Sequence, residues 1–554
     1  MKNIYLFLFS FCALLFRCSS PESTEMLKNS EAVPFDWRNA TIYFLLTDRF
    51  YNGNVANDIN FNRTEETARL RGFEGGDIAG ITQKIEDGYF DRLGVNAIWF
   101  TPVIEQIHGA TDEGTGLTYA YHGYWAKDWT RLDPNFGTFE ELETLVATAH
   151  EHGIRVLLDV VINHTGPVTE LDTAWPDNWV RQAPACTYEG YASTVECTLV
   201  ENLPDIYTES EEAVDLPPTL VEKWKAEGRY EEEMEELDAF FERTHYPRAP
   251  KYYIIKWLTD YVRELGIDGF RVDTAKHTEA DLWDELKKQA LVALEEWKAS
   301  NSEEALDNAP FWMVGEVYNF SAAQGPAYDY GDTSVNFYSH GFESLINFDF
   351  KQDAEGSYDS IFTKYDNLLH GGKLADYNIL NYLSSHDDGA PFDPKRERSK
   401  EAANKLLLSQ GAAQIYYGDE SDRSLVIEGA NGDATLRSFM NWDQIENSDS
   451  VQMVLSHWAK LGTFRKEHPA VGAGKHQMIA EQPYTFARSY QQNEFEDKIV
   501  IALGASEGEK TIKVEGIFDE GTQLIDSYSE LDVVVESGQV TLNTPYDIVL
   551  LSRM

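Results

Sequence analysis

The sequence predicts an α/β chain built on a (β/α)8 TIM barrel, with a subdomain inserted after the third strand and an antiparallel β-domain at the carboxyl end. Three observations carry this. Eight short apolar runs can be picked out along the 554 residues, most of them ending in polar side chains. Helical patterns lie between most of these runs, the alternation that builds a parallel barrel. From about residue 473 the pattern changes to short alternating runs, the mark of antiparallel strands.

In chain order, the opening "MKNIYLFLFSFCALLFRCSS" sets Lys2 before an apolar run from Ile4 to Phe16, followed by Arg17, Cys18, Ser19 and Ser20. Too short to span a bilayer comfortably, residues 1–18 read as a secretory leader. Cys18, before a stretch rich in Ser, Glu and Thr, looks like the acylated cysteine of a bacterial lipoprotein. Arg17 departs from the small residue usual there, so a lipid anchor at Cys18 and plain cleavage both stand. Residues 19–34 read as a polar linker. The expectation is an exported protein of a Gram-negative bacterium, periplasmic or held at the outer membrane, and monomeric.

The barrel strands are predicted at "TIYFLLTDRF", "VNAIWFTPV", "IRVLLDVVINH", "IDGFRVD", "FWMVGEV", "LINFDF", "ILNYLSSHD" and "AAQIYYGDE", occupying residues 35–164 and 251–472. Among the helical patterns are "TFEELETLVATAHEHG" and "PKYYIIKWLTDYVRELG", the second closing at Gly266 as helices often do. Residues 165–250 are too long an interval for a simple helix. They hold Cys186, Cys197 and the acidic helical stretch "YEEEMEELDAFFER", and so form the inserted subdomain. In an exported chain, two nearby cysteines flanking a Gly-Tyr turn predict a local disulfide rather than a metal or redox pair. Residues 473–554, with "KIVIALGA", "KTIKVEGI", "LDVVVES" and "YDIVLLS", carry no dense set of catalytic residue types. They read as a packing or solubility module, with weak carbohydrate binding as the alternative.

Composition narrows the partners. Against 46 Lys and Arg stand 94 Asp and Glu, a formal charge of -48 that repels nucleic acid and anionic lipid headgroups. A neutral substrate fits better. The 13 Trp, 29 Tyr and 29 Phe suit stacking on sugar rings as well as ordinary packing.

Ionisable residues crowd the predicted strand ends, where a parallel barrel opens into its pocket. "DVVINHTG" gives Asp159, Asn163 and His164; "GIDGFRVDTAKH" gives Arg271, Asp273, Lys276 and His277; "MVGEVYN" gives Glu316; "LSSHDD" gives His386 and Asp387. Any one stretch alone could be a solvated loop; together they describe a site.

These four segments match, in order and spacing, the signature regions of the α-amylase family, glycoside hydrolase family 13. From about Phe35 onward the chain resembles that family, and is most similar to periplasmic-type bacterial α-amylases through "LPDIYTES", "GIDGFRVDTAKH", "FWMVGEV", "NYLSSHD" and "YYGDES". The resemblance implies retaining, endo-acting hydrolysis of α-1,4-glucosidic bonds in starch, glycogen or maltodextrins. It makes Asp273 the nucleophile, Glu316 the acid/base and Asp387 the transition-state stabiliser. It gives Arg271 the orienting of Asp273, and His164 and His386 hydrogen bonds to sugar hydroxyls. His122 and Tyr124, in "YAYHGYWAKDW", match positions that contact and stack on the sugar. Lys276 and His277 resemble the pair receiving glucose units beyond the scissile bond, a pair that debranching and oligo-1,6-glucosidase relatives usually lack.

Calcium is the metal the resemblance implies, held by Asn163, Asp205 of "LPDI" and the backbone carbonyl of His277. "DRFYNGNVANDIN" with "GGD" resembles a second calcium loop using Asn52, Asn54, Asn57, Asp58, Gly75 and Asp77; metal-free turn chemistry is the other reading. The sequence departs from the family at Ala413, where many relatives have Pro, and at Asp388, where Asn or Thr is common. A glucanotransferase shares the same machinery and remains the nearest rival, and a catalytically dead glucan-binding relative is a more distant one.

Overall fold

In the computed structural model, which describes residues 33–112 and 114–554, eight parallel strands close a barrel. They are β1 (Thr41–Leu45), β2 (Ala97–Phe100), β3 (Arg155–Val160), β4 (Gly269–Val272), β5 (Trp312–Gly315), β6 (Ser344–Asn347), β7 (Asn378–Asn381) and β8 (Ala412–Tyr416). Neighbours follow sequence order around the ring, and β8 closes on β1 through the pair Thr41 and Ala413. Each of the eight predicted runs supplies one strand. All strand residues are buried, as expected where side chains fill one face of the sheet and helices cover the other. The leader, most of the linker and Cys18 lie outside the described residues. No helix among the described residues is long and apolar enough to cross a membrane.

Local chemistry fixes the helices that carry the barrel. Phe139–Glu151 starts on a capping box, Thr138 Oγ1 accepting from the Glu141 N–H at 3.2 Å while Glu141 Oε2 accepts from the Thr138 N–H at 2.8 Å. Pro250–Leu265 begins with proline in its first turn and stops at Gly266, as its sequence predicts. Gly266 sits at φ 75°, and a Cβ there would land on the Trp297 ring, so only glycine fits.

Between β3 and that helix lies the inserted segment. It contains a short strand pair (Val180–Arg181 with Asp205–Ile206), the disulfide Cys186–Cys197 and helices Pro218–Glu227 and Tyr230–Thr244. An antiparallel bridge between His164 and Asp205 ties its far end to the end of β3. Buried indoles of Trp175, Trp179 and Trp257 pack across the junction, joining the insert to the barrel core.

The carboxyl-terminal domain is antiparallel, but richer than its four predicted runs. A six-stranded sheet and a separate pair hold eight strands, adding Lys475–Glu481, Tyr484–Gln492, Gln523–Asp526 and Gln539–Thr544.

Candidate active site

The carboxyl ends of β3, β4, β5 and β7 bring the predicted ionisable residues to one rim. Arg271 pairs in the sheet with Asp159 on one side and Val314 on the other, so its side chain rises inside the barrel between them. It is 1% exposed and serves three carboxylates. Nη1 donates to Asp159 Oδ1 and Asp273 Oδ1, each at 2.8 Å, and Nη2 lies 2.9 Å from Glu316 Oε2. Arg271 and Asp273, two apart on an extended strand, face the same side as the sequence implies.

The chain turns sharply after Asp273. Thr274 takes φ 48°, a left-handed conformation that a β-branched residue adopts only under constraint, and its N–H donates to Glu316 Oε2 at 3.0 Å. The strained turn thus aims a backbone donor at the second carboxyl group. Both catalytic candidates are nearly enclosed. Burial raises Glu316 to about 8: Arg271 pulls it down, and the negative neighbours Asp273 and Asp387 push it back up. Burial likewise raises Asp273, though only to about 6, because Arg271 holds its charged form and offsets the repulsion of Asp159. Both shifts are upward, and the larger one falls on Glu316.

Asp387 stands apart at the mouth, its side chain 40% exposed, with Ser385 Oγ donating to Oδ1 at 3.0 Å. Burial works to raise it, but His386, Arg271 and Arg437 hold it below the usual carboxylate range. His386 is itself pushed down to about 3 by burial and is neutral near pH 7, so the two arginines supply that field. Asp388 has its charge compensated by Lys351 and by the Tyr382 hydroxyl at 2.8 Å.

An aromatic wall completes the pocket. Tyr124 OH donates to Asp159 Oδ2 at 2.8 Å, where the Trp99 indole also donates at 2.9 Å. The Tyr124 ring stacks on His386 with centroids 5.2 Å apart. The Tyr124 N–H donates to His122 Nδ1 at 3.1 Å, which makes Nε2 the protonated nitrogen of that neutral ring. His164 has Nε2 3.1 Å from the Tyr124 carbonyl and Nδ1 3.2 Å from Asn163 Oδ1, so the ring packs against the segment that carries Tyr124. His277 places Nδ1 2.9 Å from the Thr194 carbonyl, and Lys276 Nζ donates to the Tyr318 carbonyl and the Tyr328 hydroxyl.

Sequence reasoning left several contributors unassigned. Asp159 was visible as a strand-end acid without a role. Trp99, Thr274 and Arg437 carried no signal of their own; Arg437 reaches in from a distant loop, donating to the His386 carbonyl at 2.8 Å.

Two oxygen sets bear on calcium. Asn163 Nδ2 stands 2.8 Å from Asp205 Oδ1 and 3.0 Å from the His277 carbonyl. Turning that amide end for end would gather three hard oxygens around one point, the donor chemistry of Ca2+. Burial raises Asp205 to about 8, Arg181 resisting while Glu209 and Glu279 add to the rise, so a cation there would relieve it. In the amino-terminal loop, Asn52 Oδ1 and Asn57 Oδ1 are buried without partners, beside Asp58 and Gly75. Asn54 and Asp77 are occupied otherwise: Asn54 accepts from the Ala56 N–H, and Asp77 accepts the N–H groups of Gly53, Asn54 and Gly80 as the cap of helix Ile78–Glu86. These two match the turn-chemistry reading, while Asn52, Asn57, Asp58 and Gly75 fit a cation.

Fold and site together define an eight-stranded parallel barrel that gathers buried carboxyl groups around one arginine at its carboxyl-terminal face. The family description "Alpha amylase, catalytic domain" matches residues 44–466. The chain belongs to the α-amylase family of glycoside hydrolases. It is 36% identical over 536 residues to the periplasmic α-amylase of Escherichia coli strain K12, covering 86% of this chain and 74% of that protein. It is also 28% identical over 467 residues to a cyclomaltodextrin glucanotransferase of Thermoanaerobacterium thermosulfurigenes, covering 82% of this chain and 58% of that relative. Among solved structures, α-amylase from Geobacillus thermoleovorans, complexed with acarbose, shares the fold with a TM-score of 0.65 at 20% identity, covering 94% of this chain and 99% of that one.

Proposed function

We propose that the protein is an exported, endo-acting α-amylase that hydrolyses α-1,4-glucosidic bonds in starch, glycogen and maltodextrins with retention at the anomeric carbon. The observation that carries this reading is the single guanidinium of Arg271 reaching both Asp273 and Glu316, in a setting where burial raises the proton affinity of each carboxyl group. Asp273 Oδ attacks the anomeric carbon as the glycosidic C–O bond breaks, and the Glu316 proton passes to the leaving oxygen. The resulting glycosyl ester on Asp273 is then opened by water, whose proton returns to Glu316. Asp387, at the mouth, stabilises the positive charge that develops on the sugar ring. His122 and Tyr124 form the wall against which that sugar stacks, and Lys276 receives the glucose units beyond the scissile bond.

Ca2+ held by Asn163, Asp205 and the His277 carbonyl would pin the inserted segment to the barrel beside the site. The amino-terminal loop around Asn52, Asn57, Asp58 and Gly75 is proposed as a second Ca2+ site. Export is supported by the likeness to a periplasmic relative and by the disulfide; whether Cys18 carries lipid is read from the leader alone.

The glucanotransferase reading has support of its own, since such enzymes stand among the relatives; there a sugar hydroxyl replaces water in the second step. Incubating the mature protein with amylose and following the first products by chromatography and NMR separates these readings. Short linear maltooligosaccharides released as α-anomers are the expected result. Cyclic or lengthened products would replace hydrolysis by transfer, and β-anomers would overturn the retaining mechanism.

A further inference from the structure

We infer that Tyr328 is a positioning residue for the leaving-group side of the cleavage site, acting through Lys276. This rests on the proposal that Lys276 receives the glucose units beyond the scissile bond. Lys276 is 6% exposed, and among the described residues its ammonium lies in no ion pair. A buried ammonium needs each of its three N–H groups satisfied. Two are: one goes to the Tyr318 carbonyl at 3.1 Å and one to the Tyr328 hydroxyl at 3.0 Å. The rings of Tyr318 and Tyr328 lie beside the charge, with centroids 5.3 and 5.1 Å from Nζ. The third N–H is left for a substrate hydroxyl, and Tyr328 fixes where it points.

Tyr328 can do this because its hairpin is anchored. Strands Tyr328–Asp329 and Ser334–Val335 pair across the turn. Tyr330, on the same hairpin, donates from its hydroxyl to the Lys276 carbonyl at 2.7 Å, so the hairpin grips both ends of that residue. From the other side, Asp332 Oδ1 accepts the Tyr191 N–H at 2.9 Å, at the start of the short helix inside the disulfide-closed loop. A Cβ at Gly190 would collide with the Asp332 carboxylate, so the hairpin's side chain packs directly on the loop backbone there. Hairpin and loop form one wall, and Lys276 is the cation set into it.

The test compares Tyr328→Phe and Lys276→Met with the unmodified enzyme on two substrates. Maltoheptaose places sugars on both sides of the scissile bond; 4-nitrophenyl α-maltotrioside places an aryl group where those further sugars would lie. Tyr328→Phe keeps the ring and removes only the hydroxyl. It is expected to lower kcat/KM on maltoheptaose about tenfold, chiefly through KM, and to change the aryl glycoside by less than about twofold. Lys276→Met is expected to show the same selectivity, with a larger loss. Equal losses on both substrates, or no loss in Tyr328→Phe where Lys276→Met shows one, would overturn the positioning role. No loss in Lys276→Met would remove the reading on which that role rests.

Discussion

Replacing Asp159 with Asn isolates one contribution to the chemistry, because Asp159 shapes the field at Asp273 without reacting. Its Oδ1 and that of Asp273 each lie 2.8 Å from Arg271 Nη1, which places the two oxygens within about 5.6 Å of each other. At that separation, with an effective dielectric of about 20, a unit charge disfavours a second by roughly 3 kcal/mol, or about two pK units. Burial is the larger cause of the raised proton affinity of Asp273, and it stays in the variant. Asp273 must be ionised to attack, so activity is lost as pH falls through its pKa, about 6 in the unmodified protein. Removing the neighbouring charge makes ionisation easier. The acid limb of the kcat/KM profile on maltoheptaose is therefore expected to move down by roughly one to two pH units. The plateau should fall as well, by roughly ten- to a hundredfold, because Trp99 and Tyr124 lose part of their acceptor. With folding checked by near-UV circular dichroism, an acid limb that stays in place or moves up would refute the electrostatic account.

Asp273→Asn and Glu316→Gln should each lower turnover on maltoheptaose by at least roughly a hundredfold without unfolding the chain, and near-normal rates in either would overturn the assigned roles. Glu316→Gln should also abolish the alkaline limb, which in the unmodified enzyme reports loss of the Glu316 proton as pH rises through about 8. Chelation with EGTA should lower Tm in the unmodified protein and by a smaller amount in Asp205→Ala, where only the proposed amino-terminal loop site would remain to be stripped; an equal fall in both proteins, or an unmoved Tm in the first, would argue against calcium at Asn163 and Asp205.

The barrel was legible because each strand is buried on both faces and so appears as a largely apolar run, such as "AIWF" and "FWMV". The carboxyl-terminal domain was half legible. Strand Lys475–Glu481 is largely solvent-facing and carries Lys475, His476, Gln477 and Glu481, so it lacks the apolar alternation that marks a strand. At the site, Asp273, Glu316 and Asp387 stood out because each closes an apolar run. Arg437 and Tyr328 did not, since tertiary folding alone brings them near residues to which no spacing connects them. The left-handed turn at Thr274 was also hidden, because threonine normally disfavours it. The resemblance implied a raised proton affinity for Glu316, but not which neighbours would set it. That affinity arises from burial and from the distances among four charges.

Those same charges bear on how firmly the barrel holds together. A carboxyl group whose folded pKa lies above its unfolded value favours the native state only while protonated, and it opposes folding once pH exceeds the unfolded value. At neutral pH both catalytic candidates do so. Raising Asp273 from 3.8 to about 6, and Glu316 from 4.5 to about 8, each costs the fold roughly 3 kcal/mol near pH 7, less when taken together because the two are coupled. The residues proposed to break the glycosidic bond are thus a standing source of instability at the carboxyl-terminal rim of an otherwise well-packed barrel. The amide variants that silence the enzyme should melt at higher temperature than the active protein, with the gain widening as pH rises from acid toward neutral.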